Sequence, residues 1–127
     1  YASEIGRGLD VLQLVPSAHL SRNEIEAARL VRVDEFNPQN QRRITWQPSF
    51  VVARAYLDQL ARGGGMPGTR NTAVARALDR AEGMRGQARR TALTQLAEQL
   101  DRDAQNARDA ARVRALAGVV RELASAR

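Results

Sequence analysis

A single histidine, His19, lies between Ser17 and Ser21, and its imidazole is the side chain of this chain best suited to move a proton near neutrality. A catalytic base needs an orienting partner and usually a nucleophile within reach. Both neighbouring serines have another use, Ser17 in a loop and Ser21 at a helix start. His19 therefore reads as a loop residue, and no catalytic residue is assigned. Carboxylates occur close together at Glu24/Glu26, Asp34/Glu35 and Asp101/Asp103. Residues two apart on a helix point to different faces, so the first and last of these make poor acid pairs. Asp34-Glu35-Phe36-Asn37, with Asn40, offers oxygen donors. The spacing lacks the alternating acids, central glycine and terminal glutamate of a calcium loop, so these acids read as solvated charge at a helix end. No metal site and no cofactor is implied.

The chain has no cysteine, which removes disulfides, thiolate metal sites and cysteine nucleophiles from consideration. Gly6-Arg7-Gly8 and Gly63-Gly64-Gly65 lack the spacing of a phosphate-binding loop and read as a hairpin turn and a linker. Two groups remain as candidate binding surfaces. The first is aromatic: Phe36, Trp46, Phe50 and Tyr56, a patch able to stack a carbohydrate or dock a partner. The simpler expectation is that these rings form the core joining an irregular segment to a helix, since aromatic side chains dominate small cores.

The second group is basic: Arg85, Arg89 and Arg90, with Arg76 and Arg80 upstream. All 20 basic residues are arginine, and against 14 acids they leave a net charge of +6. That charge attracts polyanions. Nucleic-acid binding, however, favours one continuous positive face, often with aromatics that stack bases. Here Asp79, Glu82, Glu98, Asp101 and Asp109 interrupt the run, and no aromatic residue follows Gly63. A salt-bridged, solvated surface is expected, with nucleic acid disfavoured as a partner.

The elements that must position these residues divide the chain in two. Tyr1 to Ile5 and Leu9 to Leu14 predict two short strands around Gly6-Arg7-Gly8. An isolated hairpin is marginal in water, so residues 1–14 read as the end of an upstream sheet domain and the chain as a carboxy-terminal fragment. An unpaired edge also invites pairing with a second copy. Residues 15–127 predict a helical domain. Ser21 and Glu24 form a capping box, flanked by Leu20 and Ile25 as a hydrophobic staple. Ser21 is expected to matter more than Glu24, whose loss removes only the return bond.

The first helix is expected to reach about Val33, burying Ile25, Ala28 and Val31, until Asn37-Pro38 breaks it. Arg42 to Trp46 reads as extended. A second helix, about Ser49 to Arg62, carries Val52, Tyr56 and Leu60, with Asp58 and Arg62 as an i,i+4 pair. Residues 63–68 read as a flexible linker. A third helix starts near Thr69 or Asn71 and carries Val74, Leu78 and Ala81. A fourth, about Gln87 to Ala104, carries Leu93, Leu96 and Leu100. A fifth, capped by Asp109, carries Val113, Leu116, Val120 and Leu123. Short connections make neighbours antiparallel. The expected fold is mainly α, a small antiparallel helical bundle preceded by a β-hairpin. No apolar stretch approaches the ~20 residues that span a bilayer, so no membrane partner is expected.

Ile5-Gly6-Arg7-Gly8-Leu9-Asp10-Val11-Leu12 resembles the last blade strands of secreted bacterial LVIVD-repeat proteins, which are β-propellers. Leu20 to Tyr56, with Asn23-Glu24-Ile25, Trp46-Gln47-Pro48-Ser49-Phe50 and Ala53-Arg54-Ala55-Tyr56-Leu57, looks like the tail that follows such propellers. Leu78-Asp79-Arg80-Ala81 with Ala92-Leu93-Thr94-Gln95-Leu96 is similar to the FIMAH and FIVAR helical modules of extracellular bacterial proteins. The resemblance implies an exported, secreted or cell-surface parent whose upstream domain is a propeller. The expected function is that of a non-catalytic accessory or structural domain serving packing or protein–protein contact. The alternatives are a basic module for nucleic acid or an anionic cell-wall polymer, and a portion of an extracellular enzyme whose catalytic residues lie elsewhere.

Overall fold

The computed structural model describes residues 2–4, 6, 8–31, 39 and 44–126, and every structural statement below concerns these. The order of elements is β1 (Ala2–Glu4), β2 (Gly8–Asp10), α1 (Arg22–Arg29), α2 (Phe50–Arg62), α3 (Gly68–Gly83), α4 (Gly86–Asp103) and α5 (Ala110–Ser125). The fold is mainly α, a small antiparallel helical bundle.

Four helices close on one another: α2 packs on α3 and α5, α3 on α4, and α4 on α5. Apolar residues three or four apart build this core. Val74 and Leu78 on α3, Leu93 and Leu100 on α4, and Val113, Leu116 and Val120 on α5 are all fully buried. Burial of each such side chain is worth about 1.5–3 kcal/mol, and together they supply what no single helix has alone. Ala53, Ala97 and Ala117 are buried among them. Their short side chains let helix backbones approach closely. α1 packs on α2 alone, where Ala27, Val52 and Ala55 form a second, smaller cluster.

The helix starts follow local chemistry. Ser21 Oγ accepts from the Glu24 amide at 3.1 Å, and the Glu24 carboxylate accepts from the Ser21 amide at 2.7 Å, which completes the capping box. Ser49 Oγ accepts from the Val52 amide, and the Asp109 side chain from the Arg112 amide, capping α2 and α5.

Three expectations are corrected. α1 stops at Arg29, with Leu30 as its C-cap, rather than near Val33, and it buries Ala27 while Ala28 is exposed. The β-branched Val31 and Val33 are poor helix formers; Arg32 and Val33 lie outside the described residues. The stretch 63–68 is a packed turn and not a flexible linker. The Gly65 amide donates to the Leu60 carbonyl at 2.8 Å, the Gly65 carbonyl accepts from the Asp109 amide at 3.1 Å, and Met66 is buried. Gly64, at φ +60°, takes the left-handed conformation this turn requires.

The hairpin is the third correction. Its antiparallel ladder pairs Ala2 with Asp10, Ser3 with Leu9 and Glu4 with Gly8. It ends at Asp10, so Val11 to Leu14 lie outside the ladder and pair with no strand among the described residues. Among the described residues the hairpin packs on no helix. Leu9, Val11, Leu12, Leu14 and Val15 are all more than 60% exposed, between 63% and 73%.

Candidate functional site

An open groove of about 290 Å³ lies where α1, α2 and the first turn of α5 meet. α2 contributes Val52, Ala55 and Tyr56 from successive turns of one face, and α1 contributes Ala27 and Ala28. Trp46, from the segment leading into α2, closes one side and remains 42% exposed. Glu24, Gln59 and Arg112 supply the polar part of the lining. Small alanines on the two helices leave the space, and the two aromatic side chains border it.

The charges of this groove are spent on structure. Arg62 donates to both Glu24 oxygens, at 2.8 and 2.7 Å. That pair, with the Ser21 amide, holds the Glu24 carboxyl down to about 2 from its ordinary 4.5. Asp109 accepts a hydrogen bond from the Arg112 guanidinium as well as from its amide. Asp58 does not pair with Arg62 as the i,i+4 spacing suggests; it accepts from the Asn23 side-chain amide at 2.8 Å. Both contacts cross from α1 to α2 and fix how the two helices meet. Their sequence separations of 35 and 38 residues hide them from any local pattern.

The structure divides the aromatic candidates. Trp46 and Tyr56 line the groove together. Phe50 lies in the main core, with the Arg89 guanidinium 5.0 Å and the Arg54 guanidinium 6.0 Å from its ring centre. Such distances are within cation–π reach. Phe36 lies outside the described residues. Core packing thus accounts for Phe50, and Tyr56, which borders the groove with Trp46, also packs partly buried against both clusters.

The basic candidates divide too. Arg89 spends its head group on Phe50: its Nε is buried and makes no hydrogen bond. Arg85 and Arg90 are exposed and make no ion pair among the described residues. Of the acids expected to interrupt the basic run, Asp79, Glu82 and Asp101 pair with arginines of other helices and Asp109 with Arg112. Arg54 on α2 takes both Asp79 at 2.7 Å and Glu82 at 2.6 Å, Arg70 takes Asp103, and Arg121 takes Asp101.

His19 is exposed, and its backbone amide donates to Ser17 Oγ at 3.2 Å within a tight turn that pairs Ser17 with Leu20. Glu26 pairs with Arg29; Asp34, Glu35 and Asn40 lie outside the described residues. Among the described residues no three His, Asp or Glu side chains gather as metal ligands, and no helix is long and apolar enough to cross a membrane. Comparison with protein-family models, curated proteins and solved structures finds no match.

Proposed function

We propose that this chain is a non-catalytic accessory domain whose helical bundle serves packing and protein–protein contact beside a sheet domain. The observation that carries this reading is the apolar run Leu9 to Val15. Five large aliphatic side chains stay open to solvent next to a hairpin that packs on no described helix. Large apolar side chains left open in one run suit a site where another protein surface docks, and the short ladder offers edges for further strands. The Glu24–Arg62 ion pair and the Asn23–Asp58 hydrogen bond fit the same reading, since they tie α1 to α2. An exported, propeller-bearing parent fits the resemblance of residues 5–12.

The test replaces Leu9, Val11, Leu12 and Leu14 by serine in the full chain. Sedimentation velocity should show concentration-dependent association of the wild type and a monomeric variant, with the helical melting curve unchanged. A monomeric wild type that binds no hydrophobic dye through this run overturns the contact role. Turnover of general esterase, phosphatase or glycosidase substrates above the buffer rate overturns the non-catalytic assignment.

A further inference from the structure

We propose that the corner joining α3 to α4 is a second contact surface, one that docks an acidic protein segment carrying an apolar anchor. The proposal rests on reading the domain as a protein-contact module, and it names the chemistry of one partner. Two residues, Met84 and Arg85, connect the helices. Met84 is 36% exposed, one of the few large apolar side chains left open on the bundle itself. Arg80 lies in the last turn of α3, Arg85 in the connection and Arg90 early in α4, so all three fall within about a turn and a half of Met84.

What makes this corner positive is the fate of its acids. Residues 76–90 hold five arginines and only two carboxylates, Asp79 and Glu82. Both carboxylates are turned to Arg54, which reaches over from α2. Arg76, Arg80, Arg85 and Arg90 therefore make no ion pair among the described residues. Arg89 is the exception in kind, since it is stacked on Phe50. The corner thus holds four arginines without an ion pair among the described residues, beside two carboxylates that are bonded to Arg54, and positive charge is in excess there.

The composition favours a protein over a nucleic acid. Methionine and arginine are enriched at protein interfaces, and arginine forks match carboxylates two bonds at a time. The same chain already uses that fork on Glu24. Stacking platforms, which single-stranded nucleic acids want, are absent here: no aromatic residue occurs beyond Tyr56.

The experiment measures fluorescence anisotropy of a labelled peptide in which pairs of glutamates alternate with single leucines, titrated with the full chain. A peptide with glutamine for every glutamate and a short DNA duplex run in parallel. The variants are the triple Arg80→Gln/Arg85→Gln/Arg90→Gln, a triple of equal charge change on the α4–α5 side (Arg102→Gln/Arg108→Gln/Arg114→Gln), Met84→Gln, and the single Arg85→Gln. The single variants guard against a triple that fails to fold. The corner triple should weaken the acidic peptide about tenfold, with Met84→Gln and Arg85→Gln each giving a partial loss. The α4–α5 triple should leave binding nearly intact.

Equal losses from both triples, no binding of the acidic peptide, or a duplex bound more tightly than the peptide and insensitive to Met84→Gln would each overturn the proposal. None of these outcomes touches the Leu9–Val15 run, so this inference falls separately from the reading it rests on.

Discussion

Glu24 and Arg62 lock α1 to α2 through a two-pronged ion pair, with both carboxylate oxygens accepting from the guanidinium at 2.8 and 2.7 Å. The Glu24 side chain is 9% exposed and that of Arg62 36%, so the arginine is the more open partner. α1 has no helix partner besides α2. The pair is therefore the main electrostatic tie of a peripheral helix, and such elements open before the core does.

Acid should release α1. A folded-state pKa below the unfolded one means that ionised Glu24 contributes its stability in full above its ordinary 4.5. That contribution is lost as pH falls from there to about 2. The sole tryptophan, Trp46, borders the groove beside α1 and reports the change. Trp46 emission should shift between pH 4.5 and 2 while helical circular dichroism from the four-helix core persists. In Glu24→Gln, which keeps the shape and loses the charge, the shift should already be present at neutral pH. An emission spectrum flat across that range in the wild type counts against the clamp.

Glu24→Ala should destabilise α1 more than Ser21→Ala. Removing the Ser21 acceptor costs about 1 kcal/mol. Removing Glu24 loses the return bond to Ser21 and also strips Arg62 of its partner, so two contacts are lost where Ser21→Ala loses one. Chemical denaturation followed by Trp46 emission ranks the two variants. This order reverses the one the capping box alone suggests.

Local chemistry in this sequence was legible and distant chemistry was not. Ser21, Ser49 and Asp109 announce their helices because a cap is a matter of residue type and a three-residue spacing. The stripes of Val74 and Leu78, or Val113, Leu116 and Val120, announce the core because a helix repeats every 3.6 residues. Spacing points Arg62 to Asp58, its i,i+4 neighbour, whereas the fold brings Glu24 to it from another helix. Gly63-Gly64-Gly65 resembles a linker in composition, and only the closing of α5 onto Gly65 makes it a packed turn. Likewise the acids among the basic residues look neutralising until Arg54, from another helix, claims two of them.

Arg89 and Arg90, neighbours in sequence, should differ in their effect on stability. Arg89→Ala removes a guanidinium 5.0 Å from the Phe50 ring centre and uncovers a buried ring, at a cost of about 0.5–1 kcal/mol for the cation–π contact, with lost packing added. Arg90 is exposed and without an ion pair among the described residues, so Arg90→Ala should stay within about 0.5 kcal/mol of wild type. Thermal melts of the two single variants check this. Equal melting points would show that the Phe50 contact carries no stability.

Two glycine substitutions should move stability in opposite directions. A Cβ on Gly65 would sit 2.8 Å from Leu60 Cδ2 and 2.9 Å from Asp109 Cβ. The Leu60 methyl can give a little, but Asp109 Cβ is anchored to the backbone that starts α5, and the Asp109 amide is bonded to the Gly65 carbonyl. Gly65→Ala should therefore push α2 and α5 apart at their junction and cost about 1–3 kcal/mol. Gly118 lies in the middle of α5, where an added Cβ meets nothing within 4 Å. Gly118→Ala reduces the entropy lost when α5 forms and should stabilise by about 0.5–1 kcal/mol. Denaturant titrations of the two variants measure both shifts. A neutral Gly65→Ala would mean that the turn yields and that the tie between Gly65 and Asp109 does not hold the bundle's end closed.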